Sequence, residues 1–197
     1  MYTSKTPEES LRDEIQSLSK EIMGGDYISL EVQKFSLKED FAKEEVQTNL
    51  TVRSSDSKAL IKMSATGVGV VDSVYRGYST RFSTKYASLK SIGLESFGVS
   101  VSPRDSDKTE SLVSVMVEFR NSHGKVVPFR ASSLCLSRSA IMSLNSAFEY
   151  YINCELCFKK LRSLIDESTT RGRFDIRESY ISRIVKLVGV SSYEEVL

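Results

Sequence analysis

Along this chain the apolar residues switch from a period of two to a helical period, and they do so twice in the same order. That repeat limits the fold more than any other feature. Tyr27, Ser29, Glu31 and Gln33 alternate with Ile28, Leu30, Val32 and Lys34 up to Phe35, which predicts a first strand. The polar run "LKEDFAKEE" reads as a loop, and "VQTNLTVRSS" alternates again. Ser54 to Ser57 has turn composition, and "KALIKMSAT" makes a third strand. Val70, Val71, Val74, Tyr75 and Tyr78 then take helical spacing, predicting a helix that runs on towards Leu89. The order repeats with strands "LESFGVSVSP", "SLVSVMVEFR" and "VVPFRAS", the second and third joined by the hairpin turn "NSHGK". A long helix follows from Leu134, with Leu136, Ala140, Ile141, Leu144, Ala147, Phe148 and Tyr151 on its apolar face. The expected fold is α+β: two βββα units related by a pseudo-two-fold axis, with antiparallel sheets covered by helices.

Helical segments flank this core. Thr6-Pro7-Glu8-Glu9 supplies an N-cap, a proline at the first helical position and a capping-box glutamate. Leu11, Ile15, Leu18 and Ile22 then share one face, and Gly24-Gly25 stops the helix. An amphipathic helix of this length is marginal alone, so it docks either on its own domain or on a second subunit. After Asn153, "CELCFKKLRSLIDES" and "DIRESYISRIVKLVG" are helical in pattern, and "SSYEEVL" opens a short turn with Ser191 as cap. The expected organisation is an N-terminal helix over 1–25, an α+β domain over 26–153 and a helical extension over 154–197.

Composition excludes several classes of function. The 27 basic and 26 acidic residues leave a net charge of +1, which gives no electrostatic footprint for nucleic acid or for an acidic membrane. No apolar run approaches the roughly 20 residues needed to span a bilayer, and the first residues, "MYTSKTPEES", lack the apolar segment of a secretory signal. Three cysteines make no disulfide framework, so a reducing cytoplasm is the expected setting.

Groups able to carry chemistry are few. The single histidine, His123, falls in the hairpin turn without a nucleophile or carboxylate beside it, and one histidine cannot make a His-x-His metal pair. Cys154-x-x-Cys157 has the spacing of a zinc half-site, but only Cys135 and His123 remain as further ligands. At i and i+3 in a helix the two thiols are expected to pack. Glu44-Glu45 and Asp105/Asp107 read as solvated loop carboxylates, and neither a G-x-S-x-G elbow nor a P-loop occurs. The expectation is a chain with no catalytic residues, no metal and no cofactor.

The glycine-rich turn "SATGVGVVDSVYRGY" (64–78) is the exception. A dinucleotide fingerprint needs a third glycine where Asp72 stands, and the strands before it are antiparallel rather than βαβ. Free backbone N–H groups at a helix start favour a small anion such as a carboxylate. The alternative is that Gly67 and Gly69 only permit a tight turn.

Three strands, then Gly67-Val68-Gly69-Val70-Val71-Asp72-Ser73 opening a helix, then three strands and a second helix, resemble the C-terminal regulatory domain of the 2-isopropylmalate synthase and citramalate synthase family. That family carries a Gly-x-Gly-Pro-Val-Asp-Ala turn here. "LESFGVSV" is similar to its Leu-x-x-Tyr-x-Val strand, and "LCLSRSAIMSLNSAFEYYIN" to its second, small-residue-rich helix. The resemblance spans residues 27–153 and does not include the family's catalytic barrel. Val70 stands in place of the motif proline, and "ASSLCLS" lacks the aspartate that opens the family's second helix. The resemblance implies a stand-alone homodimeric module that binds a small amino acid of leucine or isoleucine type and regulates a separate synthase subunit. In it Gly67 and Gly69 would offer N–H groups to the carboxylate, and Val70 would border the pocket. Asp72 would order the turn or meet the ammonium, Tyr75 would wall the apolar pocket, and Ser132 and Ser133 would supply the matching half. The alternative is a non-catalytic interaction protein that kept the fold and lost the ligand.

Overall fold

The computed structural model describes residues 5–57, 59–103 and 111–188. Helix α1 (Pro7–Met23) starts where its capping chemistry dictates. The Thr6 hydroxyl accepts the Glu9 N–H while the Glu9 carboxylate accepts the Thr6 N–H, and the helix ends at Gly24 with φ 55°. Its apolar face is spent within the chain. Ile15 is fully buried and Met23 nearly so, where α1 packs against the long helix and the last strand. Each such aliphatic contributes about 1.5–3 kcal/mol by leaving water, which supplies the stability that an isolated helix lacks.

Strands β1 (Leu30–Asp40), β2 (Glu45–Ser54) and β3 (Leu60–Gly67) form one antiparallel sheet, and helix α2 (Val70–Phe82) follows. Strands β4 (Gly93–Pro103), β5 (Ser111–Arg120) and β6 (Val126–Ser133) form a second, followed by helix α3 (Leu136–Thr170). The two units match strand for strand, at 11, 10 and 8 residues each. Both first strands carry a bulge, after Val32 in β1 and after Leu94 in β4. Among the described residues the sheets share no hydrogen-bonded strand pair. Helix α2 covers β2 and β3, α3 covers β5 and β6, and the two helices pack side by side. Between them lies an aromatic core in which Tyr78 stacks on Phe148 at 4.9 Å and Phe119 meets Phe148 edge-on at 6.1 Å. The α+β architecture of two three-stranded antiparallel sheets with following and terminal helices is therefore the one expected.

Small residues bring α2 and α3 close to their sheets. Gly77 sits over Ala65 and Met63. At the corresponding place in the second unit the Ser143 hydroxyl donates to the Val115 carbonyl at 2.8 Å. Helix α3 also holds the entry to β1 through three side chains one turn apart. Asn145 donates to the Leu30 carbonyl, Glu149 accepts the Leu30 N–H, and Asn153 bonds both the N–H and the C=O of Ile28. The fully buried Glu155 accepts from the Ser88 N–H and hydroxyl and pairs with Lys159, pinning the short 3-10 turn Ala87–Lys90.

Three expected strand and helix ends move. Strand β1 begins at Leu30 rather than Tyr27, because the backbone of residues 28 and 29 bonds to Asn153 and to Ser55 instead of a ladder. It continues to Asp40 through the segment expected as loop, pairing Lys38 with Gln47 and leaving Phe41–Glu44 as the turn. Helix α2 stops at Phe82 rather than near Leu89. There the Ser83 hydroxyl bonds back to the Ser79 carbonyl and the Tyr86 N–H to the Phe82 carbonyl. The expected division at 153/154 falls inside α3, which runs unbroken for 35 residues. It ends before Gly172 (φ 67°), and helix α4 (Phe174–Val188) returns along α3 and α1 with Leu187 buried and Lys186 paired to Glu14. The carboxylates Asp105 and Asp107 and the final turn capped by Ser191 lie outside the described residues. Among the described residues no helix is long and apolar enough to cross a membrane.

Candidate functional site

The glycine turn joins β3 to α2 with each glycine there for a different reason. Gly67 pairs with Val46 at the end of the sheet, and a Cβ on it would stand 2.4 Å from Asp72 Oδ2 and 2.7 Å from the Ser73 nitrogen. Gly67 is therefore required by close approach, not by a left-handed backbone. Gly69 is the N-cap with φ −168°, an extended conformation open to any residue, and a Cβ there meets nothing within 4 Å. It brings no side chain to cap the first turn, so the first N–H groups of α2 have no side-chain cap.

Asp72 organises the turn. Its Oδ2 accepts the Val68 N–H at 3.1 Å and its Oδ1 accepts Arg76 Nε at 3.0 Å. The carboxylate stands at the positive end of α2, where a bound phosphate would otherwise gather the same donors. Of the two roles expected for Asp72, ordering the turn is the one these contacts describe.

Beside the turn lies a cavity of about 340 Å3 that draws on both units. Val68, Val70 and Val71 form one wall, Phe97 and Val99 of β4 the other, and Leu136 and Ala140 close it from α3. Phe97, Val99 and Val101 pair with Val117, Val115 and Val113 and so point to the helix-covered side of the sheet. Yet α3 covers only β5 and β6, and Phe97 and Val101 remain 55% and 56% exposed. Val68, which lines the same cavity, is 80% exposed and extends this apolar surface. Such a continuous exposed patch marks an interaction surface more often than a bare one.

The second unit repeats the arrangement with other chemistry. A groove of about 380 Å3 lies between β1 and the start of α3, bordered by Phe35, Cys135, Arg138 and Met142. Ser133, Cys135 and Arg138 occupy the positions matching Gly67, Gly69 and Asp72, so the carboxylate of the first turn becomes a guanidinium in the second.

Of the residues expected at the site, Gly69, Val70 and Asp72 line the cavity, and Gly67 lies directly behind Asp72. Tyr75 lies one turn deeper, packed against Phe119 at 6.0 Å and Phe148 at 6.1 Å. Ser132 points to the other face of the sheet, where its hydroxyl donates to Ser114. Ser133 accepts the Cys135 N–H and meets the Ser139 hydroxyl, settling the entry to α3. Phe97, Val99, Leu136 and Ala140 were not expected at the cavity. The alternation of "SFGVSV" places Phe97 and Val99 on one face, but no local pattern reveals that the covering helix stops short of that strand. His123 is an exposed turn residue, and Cys154 and Cys157 are fully buried against α1. Compared with known proteins, the chain matches no family model, and no curated protein matches it significantly.

Proposed function

We propose that this chain is a non-catalytic, ligand-binding regulatory module whose site is the cavity beside the glycine turn. The observation that carries the reading is that cavity's composition: apolar walls from both units next to backbone donors at the start of α2. A branched aliphatic side chain suits the walls formed by Val70, Phe97, Val99 and Leu136, and a carboxylate suits the helix start. The ligand class is a small amino acid of leucine or isoleucine type, as the resemblance to the 2-isopropylmalate synthase regulatory domain implies. A second copy of the chain would cover the exposed Phe97, Val99 and Val101, making a homodimer in the cytoplasm. Ligand bound more tightly to one dimer arrangement would shift the population towards it, and a separate synthase subunit docked on the dimer would read the shift.

The test is a thermal-shift series with the twenty amino acids alongside a light-scattering mass. A ligand at one hundred times its Kd stabilises by about 2.7 kcal/mol. At roughly 2–4 °C per kcal/mol this gives a rise of several degrees. A branched-chain amino acid alone producing that rise, in a dimeric sample, supports the reading, and a flat series ends it.

A second reading rests on its own observation. Asp72 already takes the Val68 N–H and is itself held by Arg76, so this N–H and this carboxylate are satisfied without any ligand. On that reading the chain is a structural or interaction protein that assembles through the Phe97 surface. A dimer with no response to any amino acid is its signature.

A further inference from the structure

At the opposite end of α2 is a second cavity, of about 270 Å3, that the glycine-turn reading does not use. It exists because the two units differ in one respect. Helix α3 continues past Phe148 and buries Tyr150 and Tyr151, whereas α2 stops at the corresponding Phe82 and the chain turns aside. The space left between the β2–β3 hairpin and the end of α2 stays open.

The lining is two-sided. Its floor is apolar, made of Ile28, Phe82, Tyr86 and the fully buried Ile152. Its rim is polar, and the cations there are unequally engaged. Lys85 pairs with Asp56 at 3.1 Å and lies over the Tyr86 ring at 5.1 Å. The Asp56 carboxylate is further satisfied by the Ser54 hydroxyl. Arg81 lines the same cavity and is exposed, and its guanidinium meets no carboxylate among the described residues. The helix end opposes an anion little at this place, because three of its last four carbonyls are already bonded. Ser79 accepts from the Ser83 N–H and hydroxyl, Phe82 from the Lys85 and Tyr86 N–H groups, and Arg81 from the Thr84 hydroxyl.

We infer that this cleft binds a small monocarboxylate with an aliphatic or aromatic tail, its carboxylate on the Arg81 guanidinium and its tail over Ile152 and Phe82. The planar fork of a guanidinium matches a carboxylate in a bidentate pair. The volume holds about nine waters at roughly 30 Å3 each, which suits a ligand of six to ten heavy atoms. Asp56 turns away dianions, since it adds a negative charge beside Arg81, the lining cation that meets no carboxylate among the described residues.

Hexanoate and benzoate are the probes, followed by backbone and arginine side-chain NMR of the full chain. Both should shift resonances of residues 54–61 and 81–86 saturably, with a Kd on the order of 1 mM or tighter. Arg81→Met, at an exposed position, should weaken both at least tenfold while leaving the rest of the spectrum unchanged. Acetate, hexylamine and inorganic phosphate should each bind at least tenfold more weakly. A second variant, Ala59→Phe, fills the mouth of the cleft and should abolish the shifts. Unmoved resonances at 10 mM hexanoate would overturn the inference, as would equal binding by Arg81→Met or by hexylamine. An amino acid held at the glycine turn moves residues 68–72 and 97–99 instead, so the two sites fail or succeed separately.

Discussion

Asn153 is where a single truncation should cost the most for the fewest atoms removed. It is 1% exposed, accepts the Ile28 N–H at 2.8 Å and donates to the Ile28 carbonyl at 2.7 Å and the Glu149 carbonyl at 2.8 Å. Ile28 is itself buried, so Asn153→Ala leaves its N–H and C=O without partners and without water. Each such orphan costs about 1–3 kcal/mol, which puts the variant about 3–4 kcal/mol below wild type. Against a typical total of about 5–15 kcal/mol this is a large fraction. With a urea m-value of about 2 kcal/mol/M the midpoint should fall by roughly 1.5–2 M at unchanged m. Asn153→Asp sharpens the test. It keeps the acceptor for Ile28 N–H but sets a carboxylate against two carbonyls, so it should be as damaging at pH 7 and partly recover at pH 4, where the protonated acid can donate. A midpoint shift of the alanine variant below about 0.3 M would refute the role given to this side chain.

Three further outcomes are expected. Gly67→Ala should destabilise by about 1–3 kcal/mol through overpacking against Asp72 and the Ser73 backbone, while Gly69→Ser should be neutral or slightly stabilising as an N-cap; thermal melts of the pair separate the two roles. In the folded protein a thiol reagent should count one cysteine, Cys135, and all three only after unfolding, because Cys154 and Cys157 are buried and burial pushes the Cys157 thiol up to about 11. The Ser54 hydroxyl and then the Lys85 ammonium hold the Asp56 carboxyl below its usual value, against the opposing effect of burial. The stability it contributes is therefore present above the unfolded value near ~4 and lost as pH falls through the folded one. The difference between wild type and Asp56→Asn in urea midpoint should accordingly shrink from pH 6 to pH 2.5.

The alternation of Leu50, Val52, Val115 and Val117 made the strands legible, and the capping box at Thr6 fixed the start of α1 to the residue. What local pattern could not carry was where polar side chains of one element satisfy the backbone of another. Asn145, Glu149 and Asn153 lie four residues apart with no local mark of a partner, yet they grip the chain at Ile28 and Leu30 from more than a hundred positions away. That grip is why β1 starts late. The glycine turn was legible as a strand-to-helix junction. Ser132 was assigned to the site by the resemblance, whereas period two from the buried Phe129 sets it with Arg130 on the opposite face. The far wall of the cavity depends on how far α3 reaches across the second sheet, which is a tertiary fact.

The bulges in β1 and β4 have a consequence for which way the apolar stripe of β4 looks. Leu94 and Phe97 are an odd number of positions apart, so a regular strand would send them to opposite faces, yet both lie opposite inward-facing residues of β5. The extra residue acts as a half-step in the pleat that resets its phase. Val32 and Phe35 in β1 use the same half-step. Were Glu95 to take a regular place in the ladder, with Leu94 held inward, Phe97, Val99 and Val101 would turn outward together, onto the face where Gly98, Ser100 and Ser102 now stand. Whether that one residue bulges or joins the ladder thus decides whether this sheet presents an oily ridge towards its helices or towards the solvent behind it.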